Sequence, residues 1–206
     1  MTLGSKALRS GWVVLAVAVL VGVNAYAGST TITRTTTNTN QALLPDNGCV
    51  DDTAGNGAGG VTNQIVVTEA GVLSDVNVIV AFTQTWRSDF QVALSYTGGG
   101  GTVQIINNHD TSADNYFATL DTESANGLCS AAANCGGAPS TNCNIAPGPT
   151  CQPDASLAGF NGLNSPGTWT LAVCDRAAQD LGTVSSWSVV LTGDPLPVEL
   201  QSFTIE

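Results

Sequence analysis

The strongest constraint on the fold is an alternation of apolar and polar side chains, interrupted by turn-forming residues. Apolar residues occupy every second position in four segments: 76–82, 90–96, 169–173 and 187–191. Four glycines at 98–101 end the second segment, and another strand is predicted from Thr102 to Ile106. Successive side chains of a strand point to opposite faces, so this period predicts half-buried strands. The pattern therefore predicts an all-β protein, either a β-sandwich or a jelly roll.

The first 27 residues have the composition of a secretory signal peptide. Lys6 and Arg9 precede an apolar run from Trp12 to Val23, and small residues at Ala25 and Ala27 suit cleavage after Ala27. The run is about a dozen residues long, whereas a membrane span needs about 20. A cleaved signal is therefore favoured over an anchor. We expect a secreted, periplasmic or extracellular protein with no membrane span in the mature chain.

The charge balance restricts the candidate partners. All sixteen acidic residues follow Ala27, together with only three arginines, so the mature chain would carry a formal charge of −13. Phosphate backbones bind through clusters of Lys and Arg, which argues against nucleic acid as a partner. Oxygen-rich acidic surfaces suit calcium, although acidity also keeps an exported protein soluble.

Six cysteines in an exported chain favour three disulfides. Cys129, Cys135, Cys143 and Cys151 crowd into one Gly/Pro/Asn-rich stretch and are expected to pair locally, leaving Cys49 for Cys174. A zinc site is the alternative, but the stretch lacks a Cys-x-x-Cys pair and a histidine. We expect a Thr/Asn-rich lead-in at 28–44, extended or forming an edge strand. The main domain covers 45–193 with a cysteine-rich insertion at 126–153, and an extended tail covers 194–206.

Three sequence blocks resemble the P domain (P/Homo B domain) of subtilisin-like proprotein convertases. They are Asp75 to Leu94 with its Thr-Trp-Arg-Ser-Asp turn, Phe117 to Ser124, and Gly167 to Ser188 with its Gly-Thr-Trp strand. The resemblance covers roughly residues 45–193 and implies an eight-stranded jelly roll. Gln84 stands where the family usually has His, and the cysteine-rich insertion is not part of the usual pattern.

No complete catalytic machinery is evident in the sequence. The single histidine, His109, is interpreted as a loop residue, and no Gly-x-Ser-x-Gly elbow is present. Asp121 and Glu123 could share a strand face, but the few aromatic residues argue against a glycosidase cleft. The chain is therefore expected not to be an enzyme, and a serine endopeptidase activity would belong to the family's usual neighbouring domain.

Calcium is the one cofactor that the residues suggest. Asp121, Glu123, Asp175 and Asp180 lie at predicted strand ends or turns, and the last two could converge with Asp121 if their strands are neighbours. The alternative is that these side chains cap turns. Trp86 is the one aromatic considered for ligand contact, against a role in covering the end of the sandwich.

Two functions remain open. The first is a secreted non-catalytic module that binds or stabilises an extracellular protein or surface ligand. The second is an accessory or regulatory domain of a subtilisin-like serine endopeptidase, whose protease would then be the partner.

Overall fold

The computed structural model describes residues 28–36, 42–43, 60–109, 113–131, 133–136, 143–179 and 182–194. Within these residues it has two 3₁₀ turns, Arg87–Asp89 and Leu157–Phe160, and ten strands, eight of them with five or more residues. The strands are β1 (Thr30–Thr35), β2 (Ala42–Leu43), β3 (Val61–Val67), β4 (Val72–Gln84), β5 (Phe90–Tyr96), β6 (Thr102–Asn107), β7 (Tyr116–Leu120), β8 (Thr150–Cys151), β9 (Gly167–Asp175) and β10 (Gly182–Asp194).

The strands form two sheets that enclose one core. One sheet has the order β1-β10-β4-β7-β8, with β2 also paired to β10, and the other has the order β3-β9-β5-β6. All pairings between these strands are antiparallel except that of β7 with β8. Four long strands in each sheet, with the chain crossing between sheets, make an eight-stranded jelly roll. The fold class predicted from the sequence is confirmed.

The alternating positions fill the space between the sheets. On β4, Val76, Val78, Val80 and Phe82 are at most 1% exposed, as period-two patterning predicts for one buried face. Phe82 meets Phe90 of β5 edge to face, with ring centroids 5.5 Å apart. Trp169 and Trp187, which begin two of the alternating segments, are both buried.

The N-terminal lead-in contributes an edge strand. All six residues of β1 pair with β10, from Thr30 opposite Gly193 to Thr35 opposite Ser188. Arg34 of this strand forms an ion pair with Glu69, which follows β3. Among the described residues, no helix is long and apolar enough to cross a membrane.

The cysteine-rich segment closes the opposite edge of the same sheet. Cys129 is bonded to Cys151 and Cys135 to Cys143, so the four cysteines pair locally as predicted. Parallel pairing of Thr150 and Cys151 with β7 fastens the segment to the sheet. Cys174 is also disulfide-bonded, and its predicted partner, Cys49, lies outside the described residues.

Candidate binding surface

The structure separates the residues proposed as calcium ligands. Asp121 follows β7 and lies beside Asn77, because Val78 pairs with Leu120. Asp175 ends β9 in the other sheet and accepts a hydrogen bond from Gln84 Nε2 at 3.0 Å. Gln84 lies seven residues beyond Asn77 on β4, a distance of about 23 Å along a strand. The structure therefore does not bring Asp175 to Asp121, and Asp180 lies outside the described residues.

Asp121 and Glu123 remain together in one turn. The Asp121 carboxylate accepts a hydrogen bond from the backbone N–H of Glu123 at 2.9 Å, which is ordinary turn capping. Desolvation raises the pKa of Glu123, and the nearby carboxylates of Asp75 and Asp121 raise it further. Three carboxylates on one surface repel each other, and a bound cation would relieve that repulsion.

Asp175 belongs to a buried cluster at the end of the sandwich. Its carboxylate is fully buried and also accepts a hydrogen bond from Ala177 N at 3.3 Å. The Oε1 atom of Gln84, in contrast, is buried and has no hydrogen-bond partner among the described residues.

His109 lies in a second buried cluster. Its Nε2 is 2.8 Å from Asp154 Oδ2, and its Nδ1 is 2.8 Å from the hydroxyl of Tyr116. His109 and Tyr116 are completely buried, and burial raises the pKa of Tyr116 well above 10. Both ring nitrogens of the histidine therefore have partners, and the imidazole is enclosed by the protein.

The sulfur atoms of the cysteine-rich segment form a compact group. The Sγ atoms of Cys129, Cys135 and Cys151 lie within 4.8 Å of one another, and all four local cysteines are fully buried. Because each of these sulfurs is already in a disulfide, none is a thiolate that could hold zinc. The two disulfides cross-link the segment internally, and the pairing of β8 with β7 fastens it to the sheet.

Arg87 connects this segment to the turn after β4. It is fully buried, and its Nη1 donates a hydrogen bond to Asn144 Oδ1 at 3.2 Å. Burial lowers the pKa of the guanidinium, whereas Tyr116 and Asp114 act in the opposite direction. A buried cation holds its geometry firmly, because any movement would cost its hydrogen bonds in a poorly solvated site.

Two exposed apolar side chains flank this connection. Trp86, which precedes Arg87, is 42% exposed, and Ile145, which follows Asn144, is 75% exposed. The Arg87–Asn144 hydrogen bond places the segments that carry them at the same end of the sandwich. We call Trp86 and Ile145 together the apolar end surface. Trp86 is a candidate for ligand contact already from the sequence, whereas Ile145 is not, because it is an isolated large apolar residue among Asn, Ala, Pro and Gly.

A cavity of about 270 Å³ opens at the same end of the sandwich. It lies where β4 ends between β10 and β7, since Thr83 pairs with Thr183 and Asn115 N bonds to Gln84 O. No sequence signal marks this cavity, because its walls come from three separate segments. The lining residues are Thr83, Gln84, Thr85, Asp114, Asn115, Gly182 and Thr183.

No protein-family model matches the chain, and no curated protein matches it. Among solved structures it is similar to the serine protease of Aeromonas sobria, both by itself and in complex with the chaperone ORF2. The TM-scores are 0.43 for the protease alone and 0.44 for the complex, with 14% sequence identity in each. Each match covers 81% of this chain, which spans only 27% of the solved chain.

Proposed function

We propose that this protein is an exported, non-catalytic P-domain-like module that binds an extracellular protein through the apolar end surface. The observation that carries the proposal is the exposure of two large apolar side chains at the same end of the sandwich. Isolated exposed apolar residues are common on proteins and need no explanation. Here, however, Trp86 and Ile145 come from segments about 60 residues apart in sequence and are held at one end by a fully buried arginine.

Rigidity is what makes such a surface useful for binding. Ile145 lies two residues after Cys143, whose disulfide to Cys135 fixes the start of its segment. The carbonyl of Cys143 also accepts a hydrogen bond from Phe117 N of β7 at 2.9 Å. A backbone that is already fixed loses little conformational entropy on binding, so more of the contact energy contributes to affinity. Tryptophan is also among the residues most enriched at binding hot spots.

The buried state of His109 supports a non-catalytic role. A general base must reach the proton that it abstracts, and here both nitrogens of the imidazole are engaged with Tyr116 and Asp154 inside the fold. The test is a serine-directed covalent probe. We expect no labelling of the purified chain, and stoichiometric labelling would contradict this part of the proposal.

A second candidate is an accessory domain of a subtilisin-like serine endopeptidase, with the protease as the bound partner. It is supported by the P-domain resemblance, whose Thr-Trp-Arg turn supplies both Trp86 of the apolar end surface and the Arg87 that anchors it. In this case the partner would be a protease rather than another surface protein. Calcium bound near Asp121 and Glu123 remains part of either proposal, as a stabilising ion.

The binding proposal is tested by capture from the extracellular fraction of the producing organism. Immobilised wild-type protein is compared with Ile145→Asp and Trp86→Ala, each first shown by thermal unfolding to be folded. The matched control is Val66→Asp on β3, because Val66 is similarly exposed at 64% but lies on the other sheet. We expect a partner that the control retains and both surface variants lose. Retention by all three variants would contradict the proposed surface, and identification of the partner as a serine protease would select the second candidate.

A further inference from the structure

We propose that the cavity beside Asp114 binds a basic side chain, lysine or arginine, of the protein partner. This inference rests on the proposed function and adds the chemistry by which the partner is recognised. The cavity borders the apolar end surface, because Thr85 of its wall directly precedes Trp86, and the backbone N–H of Arg87 donates to Ala113 O, next to Asp114, at 3.1 Å. A partner that covers Trp86 and Ile145 would therefore reach the cavity as well.

The lining residues provide oxygen atoms for a hydrogen-bond donor. Thr83, Thr85 and Thr183 contribute hydroxyl groups, of which those of Thr83 and Thr183 are hydrogen-bonded to each other; Asp114 contributes a carboxylate, and none of the lining residues is basic. Asp114 is exposed and forms no ion pair with any described residue, although Arg87 lies close enough to interact electrostatically. Ammonium and guanidinium groups carry only donors, so they complement this set of acceptors.

Size and charge agree with a single basic side chain. At about 270 Å³ the cavity is at the lower limit of ligand pockets, which usually measure about 300–1,000 Å³. The formal charge of −13 expected for the mature chain also attracts cationic partners over long range.

The test uses small probes, so that it is independent of whether the partner has been found. N-acetyl-arginine methylamide and N-acetyl-lysine methylamide are titrated into isotopically labelled protein, and amide shifts are followed by NMR. N-acetyl-norleucine methylamide is the neutral control of similar length, and glucose tests a hydroxyl-rich ligand. We expect weak binding by the basic probes alone, with shifts centred on Thr83, Thr85, Asp114 and Gly182, and weakening at high salt.

Variants assign the effect to the cavity. Asp114→Asn should weaken binding about two- to fivefold, as expected for one partly exposed ion pair, and Asp114→Lys should abolish it. Asp194→Asn is the matched control, because it removes the same charge from an exposed position at the far end of β10. Equal shifts with norleucine or glucose, no shifts with either basic probe, or unchanged binding by Asp114→Lys would each overturn the inference. Such a result would leave the capture experiment on the apolar end surface unaffected, so the two proposals fail separately.

Discussion

Replacing Tyr116 by Phe removes one hydroxyl group from the buried cluster around His109. The carboxylate of Asp154 can only accept hydrogen bonds, and it also accepts one from Asn107 N at 2.6 Å. A hydrogen on Nε2, next to Asp154, satisfies that contact, and in this tautomer Nδ1 is the acceptor for the Tyr116 hydroxyl. Phenylalanine keeps the packed ring but leaves Nδ1 without a donor.

The structure allows the size of this effect to be estimated. A buried acceptor that loses its partner costs about 1–3 kcal/mol, because water cannot replace the lost bond. Tyr116 and His109 are both completely buried, so the full penalty applies. We expect a loss of about 2 kcal/mol in the free energy of unfolding. For a domain of this size, that corresponds to a fall in Tm of about 4–8 °C.

The assay is thermal and urea unfolding at neutral pH with the disulfides intact. A double-mutant cycle with His109→Leu separates the hydrogen bond from other effects of the substitution. We expect the double variant to cost less than the sum of the two single variants, because Leu leaves no acceptor unsatisfied. A loss below about 0.5 kcal/mol for Tyr116→Phe, or strict additivity, would refute the geometry on which the estimate rests.

The same variant has a distinct pH dependence. Burial raises the pKa of Tyr116 well above its ordinary value of 10, so the folded protein retains this proton where the unfolded chain releases it. The contribution of protonated Tyr116 to the free energy of unfolding is complete below pH 10. It is lost as the pH rises above 10, because the unfolded chain then releases the tyrosine proton more readily than the folded protein does. Tyr116→Phe should therefore lose less stability than the wild type between neutral pH and about pH 11. An equal loss of stability in the wild type and in Tyr116→Phe over this pH range would contradict this expectation.

Three further predictions concern the cysteine-rich segment and the calcium proposal. Replacing both Cys129 and Cys151, which are 22 residues apart, by Ser should lower the free energy of unfolding by about 3.4 kcal/mol, because the unfolded chain regains loop-closure entropy. The same change at Cys135 and Cys143, which are 8 residues apart, should lower it by about 2.5 kcal/mol. Equal losses in urea unfolding would contradict the entropic account. Gly148→Ala should lower Tm strongly, because Gly148 has a φ of 65° and an added Cβ would overlap the carbonyl oxygen of Phe117. An unchanged Tm would show that the backbone at Gly148 does not lie against Phe117 of β7. If calcium binds near Asp121, a concentration of about one hundred times its Kd should raise the free energy of unfolding by about 2.7 kcal/mol. Asp121→Asn should remove this stabilisation, and the control Asp175→Asn should retain it. No change in Tm on adding or chelating calcium would eliminate the site.

The sequence alone was sufficient for the fold class and for the local disulfides. Alternation along β4, β5, β9 and β10 identifies the buried face of each strand, because side-chain direction in a strand depends only on position along the chain. The local pairing of four cysteines follows from their crowding within one short segment, 129–151. The individual partners could not be chosen in advance, since spacing permits several pairings.

The arrangement of the sites was decided only by the tertiary structure. Asp121 follows one strand and Asp175 ends another, and only the assignment of β7 and β9 to different sheets separates them. Thr83 and Thr183 are far apart in sequence and meet because β4 pairs with β10 in one particular register. Register and sheet membership depend on packing of the whole core rather than on neighbouring residues, and this is why the cavity and the apolar end surface could not be found from the sequence.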